Sequence, residues 1–413
     1  MRLSTLLLPL LSLLTPSLSE ILENGQPRLV PYPGGATKLS QPLDTSEWRT
    51  YPASAREISY KGRWDDKYIS WWSAPGVKFG FRGGNVAVGF GEETSEGVLV
   101  AYRVGGQQWR FANVTASATY QFITPETPGM DLLEANATRI FEMRVTNWSY
   151  GVQISSVSVD CKASGGALVQ LRNKRKMVEI IGDSISAGMY NSYEGLSGWA
   201  WGFVEGLGDA EFSITAYPGI CLHDQDCWGN PRGQTYQWQR VSDTSWRASQ
   251  LYGTNPPKWN FKKQQPADLV VINIGTNDFN EANGVTTKQY FESYVKLIGD
   301  IHRVWPKAQI IIQSLWHGFH GEGDTFVQDH GFDDEIRRVV NKFRFVHLFN
   351  TTGILRHNDI APQWHPTDVG QIKVASHLLE FVKAKFGWEY GQGDNGGAEV
   401  FPQTLYWNDE QNY

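Results

Sequence analysis

The chain has few cysteines, no long basic run and, past its first nineteen residues, no stretch apolar enough to cross a bilayer. Each scarcity excludes something. Three cysteines in 413 residues, Cys161, Cys221 and Cys227, are too few and too scattered for a zinc site or a disulfide-built scaffold. With 37 Lys+Arg against 43 Asp+Glu the net charge is −6, and without a long Lys/Arg run there is no electrostatic footprint for a phosphate backbone, so nucleic acid is not expected as a partner. Nor is there an internal repeat. Charged residues make up 19% and hydrophobic ones 41%, a balance that builds a core rather than a disordered chain, and the length calls for more than one domain. What the chain has in quantity is aromatics: 17 Trp, 17 Tyr and 20 Phe, more than cores need and suited to flat surfaces such as those that hold a sugar ring.

Residues 1–19 carry one Arg, a Leu-rich run broken by Pro9, and small residues at Ser17 and Ser19. The run is far short of the roughly 20 residues of a membrane span and reads as a secretory signal peptide; the competing reading is a buried N-terminal helix. The expectation is a secreted, extracellular protein without a membrane partner. Four acceptor patterns for N-glycosylation agree, at Asn113, Asn136, Asn147 and Asn350, and three of them lie close enough to predict a sugar-covered outer surface over 113–147. In an oxidising compartment Cys221 and Cys227 are expected to close a short loop, leaving Cys161 as a buried free thiol; a bridge from Cys161 to either partner is the alternative.

Two rhythms divide the chain. From about residue 40 to 162, short runs such as 68–72, 77–81, 86–90 and 98–102 alternate at period two and are separated by turns including Gly83-Gly84 and Gly105-Gly106. Without helical periodicity this predicts an all-β jelly-roll sandwich. Residues 162–166 read as a linker. Over 173–387 apolar runs at 177–181, 212–216, 269–274, 310–315 and 345–349 alternate with amphipathic patterns. In one, Phe291, Val295, Ile298, His302 and Trp305 share a helical face; in another, Ile372, Ala375, Leu379, Val382 and Phe386 do. Such alternation predicts an α/β/α domain on a mainly parallel, flavodoxin-like sheet, with its site at the carboxyl ends of the strands. Residues 388–413 form a polar, aromatic tail.

Chemistry-bearing residues fall at those ends. The first run stops at Gly182-Asp183-Ser184, where a serine at a strand-to-helix turn is exposed and its N–H favours developing negative charge. The third stops at Gly275-Thr276-Asn277-Asp278, whose Asn amide can donate into the same crevice. A serine nucleophile needs a base, and His365 precedes the last helix in Trp364-His365-Pro366. Asp183 reads as a structural partner of loop amides, Trp199 and Trp201 as helix packing, and Tyr217 and Trp364 as candidates for the substrate pocket. The polar loop with His317, His320, Asp324, Asp329 and His330 reads as a substrate-contacting or lid loop rather than a metal site, because nothing fixes the histidines' relative orientation. No cofactor is expected.

Gly182-Asp183-Ser184, Gly219, Gly275-Thr276-Asn277-Asp278 and His365-Pro366, in that order, resemble the blocks of SGNH (GDSL-type) hydrolases. The preceding sandwich and the Trp-His-Pro context further resemble carbohydrate esterase family two, whose members deacetylate plant polysaccharides. The resemblance implies Ser184 as nucleophile, His365 as general base and acid, and an oxyanion hole from the Ser184 and Gly219 N–H groups and the Asn277 side chain. It departs at one point. The Asp usually three residues before the His is replaced by Pro362, and Asp359 lies six before. A main-chain carbonyl within 362–364 is the favoured orienting group for His365, with Asp359 second. The implied activity is removal of O-acetyl groups from an acetylated polysaccharide such as xylan or glucomannan. The alternatives are a lipase or small-ester esterase, and a carbohydrate-binding protein with a dormant hydrolase domain. The sequence leaves the oligomeric state open.

Overall fold

The computed structural model describes residues 22–23, 26–27, 34–134, 137–360 and 364–389. The leader at 1–19, Asn136, Pro362 and the tail from 390 onward lie outside the described residues. The N-terminal half is a sandwich of two antiparallel sheets of six strands each. One runs in the order Arg110–Val114, Val98–Val104, Arg139–Val145, Gly76–Arg82 and Ala167–Val169, with Ser59–Lys61 also paired to Gly76–Arg82. The other runs Thr37–Leu39, Thr119–Ile123, Val86–Phe90, Val152–Asp160 and Trp48–Pro52, with Ile69–Ser70 beside Val152–Asp160. Alternate residues from the two sheets, among them Phe79, Phe81, Val88, Tyr102, Phe122, Phe141 and Ile154, close the core between them.

The expected linker at 162–166 is a single 3-10 turn, Lys162–Ser164, inside the sandwich, because the strand Ala167–Val169 that follows pairs back onto Gly76–Arg82. Cys161 opens that turn half-buried, with its Sγ 3.5 Å from Ser164 Oγ, so it is not the buried thiol expected. The run 68–72 yields only a two-residue strand: Tyr68 has φ 62, and the chain then turns away into the seam with the second half.

The second half is a five-stranded parallel sheet in the order Ala210–Ala216, Lys176–Gly182, Leu269–Asn273, Gln309–Gln313 and Val346–Phe349. Numbered by chain position this is 2-1-3-4-5, the flavodoxin-like order, whose direction reverses between the first and third strands. Successive residues of each strand feed opposite cores. Val178, Ile180, Ile214 and Val271 meet the helices Trp199–Leu207 and Asp368–Phe386, while Ile181, Val270, Ile272 and Ile312 meet Thr287–Val304 and Asp333–Lys342. Trp199 and Trp201 are buried in the first of these cores. The helix Thr287–Val304 starts at a capping box, in which Thr286 accepts from Gln289 N and Gln289 accepts from Thr286 N.

Two helix faces differ from expectation. In Thr287–Val304 the buried line is Tyr290, Tyr294, Leu297, Ile298 and Ile301; Phe291 and Val295 sit at its margin. The tyrosines take the core because Tyr290 satisfies its hydroxyl by donating to Ile274 O at 2.9 Å. In Asp368–Phe386, Ile372 is exposed, while its neighbours Gln371 and Lys373 are buried as polar anchors.

Charges seal the seam between the halves. The outer face of the first sandwich sheet carries Glu142, which accepts from Arg103 and Arg144, and Arg103 reaches across to Glu205 at 3.0 Å. Burial raises the cost of the Glu142 charge, yet Arg103, Lys78 and Arg144 together hold its carboxyl well below the usual range. Arg63 and Glu179, both fully buried, pair at 2.7 Å, and Lys61 pairs with Glu211 at 2.7 Å. Ser73 forms an isolated bridge with Ile214 and donates to Ala216 O, so the sandwich covers the open edge of the parallel sheet.

Asn147 belongs to this seam. Only 2% exposed, it accepts from Leu99 N at 2.7 Å and donates through Nδ2 to Glu194. The nitrogen that would carry a glycan there is buried and bonded. Half-buried Asn113 likewise donates through Nδ2 to Gly97 O at 2.7 Å. Asn350 is exposed, with its Oδ1 accepting from Thr352 N.

Candidate active site

Ser184 is the first residue of the one-turn helix Ser184–Ala187, directly after the first parallel strand. Asp183 caps that turn, its Oδ1 accepting from Ile185 N at 3.0 Å. The cap is fully buried, and burial, with the charge of Asp278 adding to it, pushes the Asp183 carboxyl up to about 7. Asp183 thus supports the turn from beneath.

Ser184 Oγ lies 2.7 Å from Nε2 of His365. Two loops must be held for this contact to exist. Asn191 donates to Pro366 O at 3.1 Å, Gln371 donates to Asn191 Oδ1 at 3.0 Å, and Gln371 accepts from Trp199 N at 2.8 Å. The histidine loop is closed at its base by the bridge of Ile360 with Pro366 and by Thr367 N donating to Asp359 O at 2.7 Å. The Tyr190 ring meets the His365 ring edge to face at 5.0 Å. Asp359 is engaged elsewhere: both its oxygens accept from Lys373 Nζ, and one also accepts from Arg356 N.

Across the switch point, Asn277 follows the third strand on the short helix Thr276–Phe279 and donates to Ile220 O at 3.0 Å. One amide hydrogen remains to point into the crevice. Gly219, at φ 78, turns the neighbouring loop; a side chain there would be strained by its backbone and would press on Asn230 and Trp228. That loop is tied to the third strand by Asp278, which accepts from Leu222 N at 2.7 Å and His223 N at 2.9 Å. Burial raises the Asp278 carboxyl to about 6 in spite of those bonds. The Cys221–Cys227 disulfide closes the same loop, with Cα atoms 6.0 Å apart.

These groups line a cleft of about 1100 Å³. Tyr217 and Trp364, both expected at the pocket, line it. So do residues the sequence reading missed: Trp228 (56% exposed), Trp246 (66%) and Phe279 (45%), beside Trp364 (53%). Large apolar side chains this exposed, gathered in one concavity, mark a binding surface. Their signal was position, since Trp228 and Trp246 fall between the second and third parallel strands and Phe279 ends the short helix after the third.

The histidines of the polar loop do not converge. His317 packs against Phe279 at the cleft wall, and burial depresses it to about 4, so it is neutral. His320 pairs with Asp329 at 2.5 Å across the base of the hairpin Phe319–Glu322/Thr325–Gln328, and His330 faces Asp333. Asp324 lies between the two hairpin strands. No group of three His, Cys, Asp or Glu side chains among the described residues is arranged to hold a metal ion.

Residues 180–371 match the model of the GDSL-like Lipase/Acylhydrolase family. The chain is 27% identical over 364 residues to the Cellulase/esterase CelE of Acetivibrio thermocellus, covering 80% of this chain but only 40% of that relative's length. A family two carbohydrate esterase from Clostridium thermocellum, solved with cellohexaose, superposes with a TM-score of 0.64 at 20% identity, over 80% of this chain and all of that one. An acetyl xylan esterase from Butyrivibrio proteoclasticus superposes with a TM-score of 0.62 at 15% identity, over 83% of this chain and all of that one. Sandwich and parallel sheet together thus have the fold of the family two carbohydrate esterases, with residues 180–371 similar to the GDSL-like lipase/acylhydrolase family.

Proposed function

We propose that the protein is a secreted serine esterase that removes O-acetyl groups from a plant cell-wall polysaccharide, xylan or glucomannan. The observation that carries this is the 2.7 Å contact of Ser184 Oγ with His365 Nε2 on the floor of an aromatic-walled cleft. His365 takes the hydroxyl proton as Ser184 attacks the acetyl carbonyl. The tetrahedral oxyanion is held by the N–H groups of Ser184 and Gly219 and the Asn277 amide. The sugar hydroxyl leaves with the proton from His365; water, deprotonated by the same ring, then frees acetate and restores Ser184.

The orienting group for His365 is read as a main-chain carbonyl within 362–364, a reading supported by the commitment of Asp359 to Lys373. The cleft is lined by residues of the second half alone, which favours a buttressing role for the sandwich at the active site. Secretion is supported by the leader pattern at 1–19 and the exposed acceptor Asn350. No helix among the described residues is long and apolar enough to cross a membrane.

Acetate release from acetylated xylan and acetylated glucomannan tests the proposal, with Ser184→Ala alongside and a long-chain p-nitrophenyl ester as control. Acetate from either glycan, abolished in the variant, is the expected result. Turnover of the long-chain ester alone would replace it with a lipase. Silence on all three from folded protein would leave a carbohydrate-binding module.

A further inference from the structure

Beyond the cleft, the sandwich seam opens into a groove of about 410 Å³. Trp109 and Arg103 form its sandwich wall; Tyr193, Glu205, Asp368 and Ile372 form the other. We propose that this groove is a second glycan subsite, holding an unacetylated stretch of the same neutral polysaccharide chain whose acetylated sugar lies at Ser184. The proposal rests on the esterase reading above and extends it to a subsite shared by both halves.

The lining has the chemistry of a sugar site. Tyr193 and Ile372 stay exposed at a seam that elsewhere buries its apolar side chains. The Tyr193 ring is stacked on Phe111, with centroids 5.1 Å apart and planes 12° off parallel, so its orientation is fixed before any ligand arrives. Trp109 carries the Arg103 guanidinium 4.0 Å from its ring centroid and meets the Trp201 ring at 65°, which fixes it in place. Rigid aromatic faces bind the apolar face of a pyranose at little entropic cost. The charges are already spoken for, because Arg103 is paired with Glu205 and Asp368 accepts from Ser192 N. The remaining lone pairs of the Glu205 and Asp368 carboxylates suit hydroxyl groups, and the pairing of Arg103 with Glu205 favours a neutral occupant over an ionic one.

Two separate segments join the groove to the cleft. Met189 lines the cleft and Tyr193 the groove; Trp364 and His365 line the cleft, and Asp368 and Ile372 the groove. Tyr190, against His365, is three residues from Tyr193, so their Cα atoms are at most about 11 Å apart. The intervening loop is anchored, since Asn191 donates to Pro366 O and Glu194 accepts from Asn147 and Thr146. The proposal places one extended glycan across both surfaces.

The test compares wild type with Tyr193→Ala and with Ile372→Arg, which fills the groove from an exposed position and leaves the core untouched. The readout is kcat/KM on acetylated xylan divided by kcat/KM on p-nitrophenyl acetate. We expect that ratio to fall roughly three- to tenfold in each variant, through KM for the polymer. In parallel, xylohexaose and cellohexaose are titrated by calorimetry into the full chain carrying Ser184→Ala, with and without Ile372→Arg; weaker binding of at least one in the double variant is expected. An unchanged ratio together with unchanged titrations overturns the subsite. Should the wild type release acetate from neither xylan nor glucomannan, the esterase reading fails on substrate, and the titrations alone decide the groove; if only glucomannan is turned over, the ratio is measured on that polymer.

Discussion

The ammonium of Lys373 lies 2.9 and 2.8 Å from the two carboxylate oxygens of Asp359, and both side chains are almost completely buried. Lys373 stands on the helix that begins just after His365, so this pair fastens the histidine loop to the helix rather than orienting the imidazole. Asp359→Asn should therefore behave as a stability variant. Leaving a buried ammonium without its counter-charge costs on the order of 3 kcal/mol. Urea denaturation should show that loss, with kcat of the folded fraction within several-fold of wild type. A fall in kcat of about 10⁴-fold, as an orienting triad carboxylate produces, would make Asp359 the partner of His365 after all.

Asn277→Ala removes one side-chain donor from the proposed oxyanion hole while its backbone neighbours remain. The expected effect is a drop in kcat of about 10²–10³-fold with KM little changed, measured on p-nitrophenyl acetate. A change confined to KM would place Asn277 in substrate binding instead.

The disulfide between Cys221 and Cys227 lies in the loop that presents Gly219 at one end and Trp228 at the other. Replacing both cysteines by serine should lower kcat by up to about 10²-fold, because the Gly219 N–H loses its fixed position. Steady-state kinetics on the double variant, checked for folding by circular dichroism, decides this. Wild-type kcat would show that Asp278 alone is enough to hold the loop.

Asp183 makes stability depend on pH. Its folded pKa of about 7 lies above the ordinary 3.8, so between those values the native state holds a proton that the unfolded chain releases. Stability from this group therefore falls as pH rises from about 4 to 7. Asn caps a helix as well as Asp does, so Asp183→Asn should keep the turn and lose the penalty. Melting temperatures at pH 5 and pH 8 should show the variant gaining on wild type at pH 8. His317 acts oppositely: held neutral down to about 4, it costs stability as pH falls below its ordinary 6.5.

Glycopeptide mapping of protein made in a eukaryotic secretory host should find Asn350 occupied and Asn147 bare. Asn147→Ala should destabilise by about 1–3 kcal/mol, since it strands Leu99 N and removes one of the donors to Glu194 in the seam. A glycan on Asn147 would mean that the seam is open when the sugar is added.

The parallel strands were legible because residues buried on both faces make continuous apolar runs, as in Leu269 to Ile272. The nucleophile and base were legible because short motifs at strand ends have few places to go. The phase of the helix Thr287–Val304 was not, because Tyr counts as polar or apolar according to whether its hydroxyl finds a partner, and Tyr290 finds Ile274 O. Asn147 misled for a related reason: an acceptor pattern records three residues and says nothing of the surface they face. Arg103, Glu142 and Arg144 alternate along strands as solvent-facing residues do, yet a second domain covers them. Trp228 and Trp246 are ordinary aromatics in sequence and become a cleft wall only when the loops converge.

The buried pair of Arg63 and Glu179 bears on the order in which the chain is made. Arg63 also donates to the carbonyls of Trp238 and Arg240. A ribosome releases the N-terminal part first, and domains generally begin to fold as they emerge. The young sandwich must then wait, with a guanidinium in water, until Trp238, 175 residues beyond Arg63, has been translated and its acceptor exists. Truncation between the halves would make that wait permanent, and a library that shuffles the two domains among relatives should recover partners that inherit both ends of this contact together.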